Sequence, residues 1–169
     1  MKVVRFLMLL FCAGFFLFAC FFVITSVRKS GYGLSYQVSA SMPEGWYLLQ
    51  PVSNLKKGEV VVFEPPHFAK KFLQVHHWLP DNGVMMKHVM GVPGDFVCKH
   101  NGAIFLDHHR LAKVYRYYEP GKLLPTREFC GKVPPQHYLL MSTTVENSYD
   151  GRYFGLVDSK SIFGEARKL

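Results

Sequence analysis

The stretch VMMKHVMGVPGDFVCKHNGAIFL, residues 84–106, reads as strand, turn, strand, hairpin turn, strand. Val84 to Val92 is apolar and partly β-branched, and Pro93-Gly94-Asp95 closes it with a turn. Phe96 to Lys99 and Ala103 to Leu106 flank Asn101-Gly102, a pair that readily takes the positive φ values of a tight hairpin. Working outward, Glu59-Val60-Val61-Val62-Phe63 is a β-branched run bounded by Lys57-Gly58 and Pro65-Pro66, and Tyr138 to Ser142 is a further strand. Within the region that follows the N-terminal segment, Phe68 to Leu79 is the one stretch with helical character. Short strands punctuated by 10 prolines and 14 glycines suit a small β-barrel or sandwich. The expected fold class is therefore mainly β, with one helix in front of it.

That helix is the N-terminal segment. Phe6 to Ile24 carries no charge and nearly spans a ~30 Å hydrocarbon core at about 1.5 Å per residue. The competing reading is a cleaved signal peptide, whose apolar region is shorter and ends at a small-x-small site; the exit Thr25-Ser26-Val27-Arg28-Lys29 lacks such a site. Lys2 and Arg5 precede the run and Arg28 and Lys29 follow it, so loop charge does not fix orientation; the N-terminal amine tips it towards N-inside. Three zones follow: residues 1–27 as membrane anchor, 28–35 as a flexible joint around Ser-Gly-Tyr-Gly-Leu-Ser, and 36–169 as the folded domain.

The 169 residues carry a net charge of +8, with 20 Lys and Arg against 12 Asp and Glu. A nucleic-acid-binding membrane protein would cluster those cations with stacking aromatics. Here they are scattered, so attraction to acidic lipid headgroups is the simpler account and no nucleic acid is expected. Of the four cysteines, Cys12 and Cys20 lie in the apolar run. Cys98 and Cys130 are either a disulfide, if the domain lies outside the cytoplasm, or two free buried thiols. The eight histidines include His76-His77 and His108-His109, but no metal-ligand spacing links them, and no metal or cofactor is expected.

Three segments carry chemistry. In Ser39-Ala40-Ser41-Met42-Pro43-Glu44-Gly45, proline stiffens the chain and biases Met42 to an extended shape. Ser39 and Ser41 then share a side, and the Ser39 hydroxyl and Ser41 N–H are candidate oxyanion donors. The other reading is a plain surface turn. Lys87 sits inside an apolar strand. It is either an edge-strand lysine reaching solvent, or a desolvated amine whose pKa falls towards neutrality and which can accept a serine proton. In Asn147-Ser148-Tyr149-Asp150-Gly151-Arg152-Tyr153-Phe154-Gly155, Asp150 and Arg152 can pair and Ser148 can orient a neutral lysine; the other reading is a surface loop. No His-containing serine-protease motif is visible, so a lysine has to be considered as the base for a serine nucleophile.

These three segments, in this order, resemble type I signal peptidases (serine peptidase family S26). That family carries a Ser-x-Ser-Met-x-Pro-like segment, a Lys-Arg-Val-x-Gly-x-Pro-Gly-Asp segment and a Gly-Asp-Asn-Ser-x-Asp-Ser-Arg segment. The resemblance implies Ser41 as nucleophile, Lys87 as general base, Ser39 with the Ser41 N–H as oxyanion hole, Ser148 orienting Lys87, and Asp150 and Arg152 as support. It implies no cofactor. It also implies a mostly β domain resting on the bilayer, giving Trp46, Tyr47, Phe68, Phe72 and Trp78 a possible interfacial place. The implied partners are the lipid bilayer and membrane-inserted signal-peptide or pilin precursors. The implied location is the bacterial cytoplasmic membrane, single-pass, with the catalytic domain outside the cytoplasm.

The sequence departs from the pattern at His88 for Arg, Gly151 for Ser, and Val145-Glu146 for Gly-Asp. The compact Ser41 to Tyr47 segment, the single anchor, the paired cysteines and the short span to Tyr138 look more like conjugative-transfer peptidases of the TraF type. A catalytically silent precursor-binding protein is the alternative, and intact Ser41 and Lys87 argue against it.

Overall fold

Helix α1, Lys2–Lys29, leads the computed structural model, which describes the backbone of residues 2–169 and the side chains of 7–26 and 30–169. Its segment Leu7–Ser26 is long and apolar enough to cross a membrane, and none of that segment is buried within the protein. Only Ser30, Gly31 and Tyr32 separate α1 from the first strand, β1 (Gly33–Gln37). The joint is thus shorter than the expected 28–35, and Ser35 lies within a strand. Pairing explains this: β1 is bonded antiparallel to β2 (Gly45–Gln50) from Gly33↔Leu49 to Gln37↔Gly45, and cross-strand bonds override the low strand preference of Gly and Ser.

The remaining elements are β3 (Val60–Phe63), α2 (His67–Val75), β4 (Met85–Gly91), β5 (Phe96–His100), β6 (Ala103–Leu106), β7 (His109–Lys113), β8 (Tyr117–Glu119), β9 (Lys122–Leu123), β10 (Cys130–Lys132), β11 (His137–Met141), α3 (Gly151–Phe154), β12 (Val157–Asp158), a 3₁₀ turn Ser159–Ser161, and β13 (Ile162–Lys168). The protein is mainly β. A seven-stranded sheet runs β1-β2-β13-β3-β4-β11-β12, a four-stranded sheet runs β10-β5-β6-β7, and β8-β9 is a separate hairpin. The β5–β6 hairpin turns at Asn101 and Gly102, with φ of 49° and 69°, as that dipeptide favours. Helix α2 stops at Val75, short of the expected Leu79, and His77 just beyond it has φ of 57°.

The larger core packs Val61, Phe63, Ala69, Leu73, Val89, Leu140, Tyr153 and Phe154 between the main sheet and α2. Alternation in β3 sends Val62 to the opposite side, where a smaller cluster joins it to Met42, Tyr47, Met86 and Ala166. Of the five aromatics with a possible interfacial place, Tyr47 is 2% exposed and donates its hydroxyl to the Pro43 carbonyl at 2.8 Å. Phe68 and Phe72 pack against the larger core. Trp46 and Trp78 remain exposed, because alternation along β2 turns Trp46 outward and Tyr47 inward. Cys98 and Cys130 face each other across β5 and β10 and are disulfide-bonded.

The seven-stranded sheet curls. Three strands lie between β1 and β4 in its order, yet the loop leaving β1 reaches the side chains of β4. The outer edge of β1 pairs with no other strand among the described residues, which leaves a gap between β1 and the start of β4.

Candidate active site

Ser41 sits on the loop joining β1 to β2, and its neighbour anchors it. Met42 is 2% exposed and packs in the same apolar cluster as Met86. Met86 immediately precedes Lys87 on β4. Two buried methionines, one after the serine and one before the lysine, therefore bring the two polar side chains together. Lys87 lies opposite Val61 in the β3–β4 register and is 3% exposed. Its Nζ donates to Ser41 Oγ at 2.6 Å. Burial pushes the Lys87 amine down to about 8; the Asp150 carboxylate works against that shift and the Arg152 cation works with it. Once the amine is neutral, the same contact lets the Ser41 hydroxyl donate to Nζ.

The Ser39 hydroxyl lies 3.0 Å from Ser41 Oγ. Gln37 Nε2 donates to Ser39 Oγ at 2.6 Å and to the Ser39 carbonyl at 3.0 Å. With a donor already on its oxygen, Ser39 has its own proton free to point towards Ser41 and whatever charge develops beside it.

The loop between β11 and α3 closes the site from below. Asp150 and Arg152 are 0% and 1% exposed and form an ion pair with Arg152 Nε to Asp150 Oδ1 at 2.8 Å. Asp150 Oδ2 also accepts from the Ser142 N–H at 2.8 Å. Arg152 donates to the carbonyls of Ser142, at 3.1 Å, and Glu146. A buried charge pair with its remaining hydrogen-bonding capacity filled in this way is tolerated. Ser148 is buried and lines the same cleft of about 450 Å³ as Ser41, Lys87, Ser35 to Ser39 and Val84 to Met86. The expected Ser148–Lys87 hydrogen bond is not formed among the described residues. The Lys87 amine is held by its hydrogen bond to Ser41, and Asp150 acts on it through charge alone.

Three polar residues near Ser41 carry no sequence signal. In the sequence Ser142 reads only as the end of a strand and Thr144 carries no pattern, although both donate to the Ser41 carbonyl. Gln37, which donates to Ser39, is the third. Among the described residues, no three His, Cys, Asp or Glu side chains are grouped so as to hold a metal ion. His76 instead pairs with the Tyr118 hydroxyl at 2.7 Å.

The signal peptidase, peptidase S26 family matches residues 2–169. The chain belongs to that family. A probable signal peptidase I-2 of Synechocystis sp. is 30% identical over 115 residues, 66% of this chain and 46% of that protein. Signal peptidase I of Leptolyngbya laminosa is 28% identical over 111 residues, 66% of this chain and 50% of that protein. The matched region thus spans about half the length of these two relatives. The plasmid transfer protein TraF of Escherichia coli is 29% identical over 157 residues, 81% of this chain and 82% of that protein. A solved signal peptidase I from Enterococcus faecalis V583 aligns with TM-score 0.39 and 19% identity, over 68% of this chain and 97% of that chain.

One departure from the signal peptidase pattern has a physical cause here. At Gly151, where the family pattern has Ser, a Cβ would lie 2.6 Å from the Leu140 carbonyl oxygen and 2.9 Å from Leu139 Cδ1. The start of α3 presses so closely on β11 that this backbone has no room for a side chain.

Proposed function

We propose that the chain is a membrane-anchored serine endopeptidase with a Ser41/Lys87 dyad that removes N-terminal signal or leader peptides from exported precursors. The observation that carries this reading is the 2.6 Å contact between Ser41 Oγ and a lysine that is 3% exposed.

In the reaction, neutral Lys87 takes the Ser41 proton as Oγ attacks the scissile carbonyl. The oxyanion is held by the Ser39 hydroxyl and the Ser41 N–H. The Lys87 ammonium returns its proton to the leaving amine as the C–N bond breaks and an ester to Ser41 remains. Lys87 then takes a proton from water, the hydroxide attacks the ester, and the proton passes back to Ser41 Oγ as the acid product departs. The chain's own residues supply every proton transfer.

The precursor enters as an extended strand in the gap between β1 and the start of β4, where main-chain bonds set its register. Small side chains at the first and third positions before the cut fit the family resemblance. Helix α1 anchors the enzyme in the bacterial cytoplasmic membrane, with the catalytic domain on the extracytoplasmic side, where a Cys98–Cys130 disulfide is stable. The similarity to a plasmid transfer protein across 82% of its length favours pilin or other transfer-system precursors over general secretory ones.

The test is cleavage of a membrane-inserted precursor bearing an Ala-x-Ala site, in detergent, by wild type, Ser41→Ala and Lys87→Ala. Cleavage by wild type alone supports the dyad. Cleavage that survives both substitutions refutes it. A wild type that binds but never cuts either this precursor or a pilin precursor favours a precursor-binding role.

A further inference from the structure

Two hydroxyls from a distant part of the chain are fixed on the backbone of the nucleophile. Ser142 Oγ donates to the Ser41 carbonyl at 2.6 Å. Thr144 Oγ1 reaches the same carbonyl at 3.0 Å and the Ala40 carbonyl at 3.3 Å. The proton accounting is specific. Ser142 Oγ accepts from the N–H groups of Thr144, at 3.3 Å, and Val145, at 3.2 Å, which leaves its single proton for the Ser41 carbonyl at 2.6 Å, nearer than its other neighbour, Thr144 Oγ1 at 3.2 Å. Thr144 shares its proton between two carbonyls that flank Ser41 on either side.

These contacts bear on both functional groups of Ser41. The Ala40 carbonyl belongs to the same amide as the Ser41 N–H, so a donor on the oxygen polarises the amide and strengthens its N–H as a donor. The Ser41 carbonyl belongs to the next amide, and fixing it sets the rotation of the backbone that aims Oγ. The two hydroxyls are themselves held from beneath. Ser142 N–H donates to Asp150 Oδ2, and Arg152 grips the carbonyls of Ser142 and Glu146 at both ends of the loop. The buried ion pair thereby acts on the nucleophile without touching it.

We propose that Ser142 and Thr144 are positioning residues that clamp the two carbonyls flanking Ser41, aiming its hydroxyl at Lys87 and its N–H at the oxyanion. This rests on the dyad reading above. The clamp serves the transition state, whereas the precursor binds along β1 and β4. Loss of the clamp should therefore lower kcat and leave KM in place. Lys87 is untouched, so the acid limb of the pH profile should not move.

The experiment uses the full chain in detergent with the Ala-x-Ala precursor, measuring kcat, KM and the pH profile. The forms compared are wild type, Ser41→Ala, Thr144→Val, Thr144→Ser, Ser142→Ala and the Ser142→Ala/Thr144→Val double variant. Thr144 is exposed and valine matches it in shape, so that variant keeps the fold. Thr144→Val is expected to lose about tenfold in kcat, and the double variant about a hundredfold. KM should stay within about twofold of wild type and the acid limb should not shift. Thr144→Ser should recover most of the loss. Wild-type kcat in both single variants overturns the clamp, as does an equal loss in Thr144→Ser or an acid limb that moves with kcat. If Ser41→Ala cleaves like wild type, the dyad fails and the clamp with it. If Ser41→Ala is dead while the clamp variants are fully active, only the clamp fails.

Discussion

Replacing Lys87 with methionine separates the two consequences of burying an amine. Lys87 is 3% exposed, and burial lowers its pKa from 10.5 to about 8 against the pull of Asp150. In the unfolded chain the amine titrates at its ordinary value. The folded value is the lower one, so between those two pH values the unfolded chain binds more protons and stability rises with pH. The cost of burying the amine is therefore fully present below about pH 8 and fades as pH approaches 10.5. At about 1.36 kcal/mol per pKa unit, that cost is about 3 kcal/mol. Methionine fills similar space beside Val61 without a charge. Urea unfolding in detergent should show Lys87→Met more stable than wild type at pH 7 by an amount approaching about 3 kcal/mol. The gain should shrink as pH rises, while precursor cleavage is abolished. A Lys87→Met protein that is less stable than wild type, by the same amount at neutral and alkaline pH, would refute the reasoning.

Further outcomes follow from the same geometry. Cleavage by wild type should rise with pH to a plateau, with its acid limb centred near the Lys87 value of about 8, because only the neutral amine accepts the Ser41 proton; a kcat/KM profile centred two or more pH units lower would point to a different base. Met42→Ala should cost about 2–5 kcal/mol in denaturation. It should also lower kcat at temperatures where the variant is fully folded, since Met42 anchors Ser41 beside Met86; unchanged kcat would disconnect that anchor from catalysis. Gly151→Ala forces a Cβ to within 2.6 Å of the Leu140 oxygen and should destabilise by about 1–3 kcal/mol or more, measured by the urea midpoint. Reducing the Cys98–Cys130 bond opens a link of sequence separation 32. The expected loss is about 3–4 kcal/mol, read by unfolding with and without reductant.

What was legible in the sequence was what local chemistry dictates. The β-branched run of β3, the apolar β4 with its Pro-Gly-Asp exit, and the Asn-Gly hairpin of β5 and β6 announce themselves because each carries its own turn or strand signal. Strands β1 and β13 do not. Gly33-Leu34-Ser35 reads as a joint, and Ile162 to Lys168 is broken by Gly164 and by charges. Both are strands because partners across the sheet supply the bonds; at Gly164 a Cβ would come within 2.9 Å of the Gln50 carbonyl. The site divides the same way. Ser41, Lys87, Asp150 and Arg152 were legible from motif order. Ser142 and Thr144 were not, because hydroxyls that serve a backbone carbonyl 101 and 103 residues away leave no pattern in their own neighbourhood. The Ser148–Lys87 bond failed for the converse reason: motif order places Ser148 in the cleft but does not set its rotamer.

The short joint between α1 and β1 has a consequence beyond tethering. Ser41 lies 12 positions after Lys29, a path of at most roughly 40 Å if fully extended, and the β1–β2 hairpin makes it shorter. With α1 in a bilayer, Ser41 is confined to a thin layer over the lipid, and the proposed reaction becomes a search in two dimensions rather than three. A peptide bond carried high above the surface stays out of range however well its side chains suit the cleft. Altitude becomes a criterion of selection alongside sequence. For the proposed peptidase, that criterion would spare folded proteins whose exposed loops happen to carry an acceptable cleavage site.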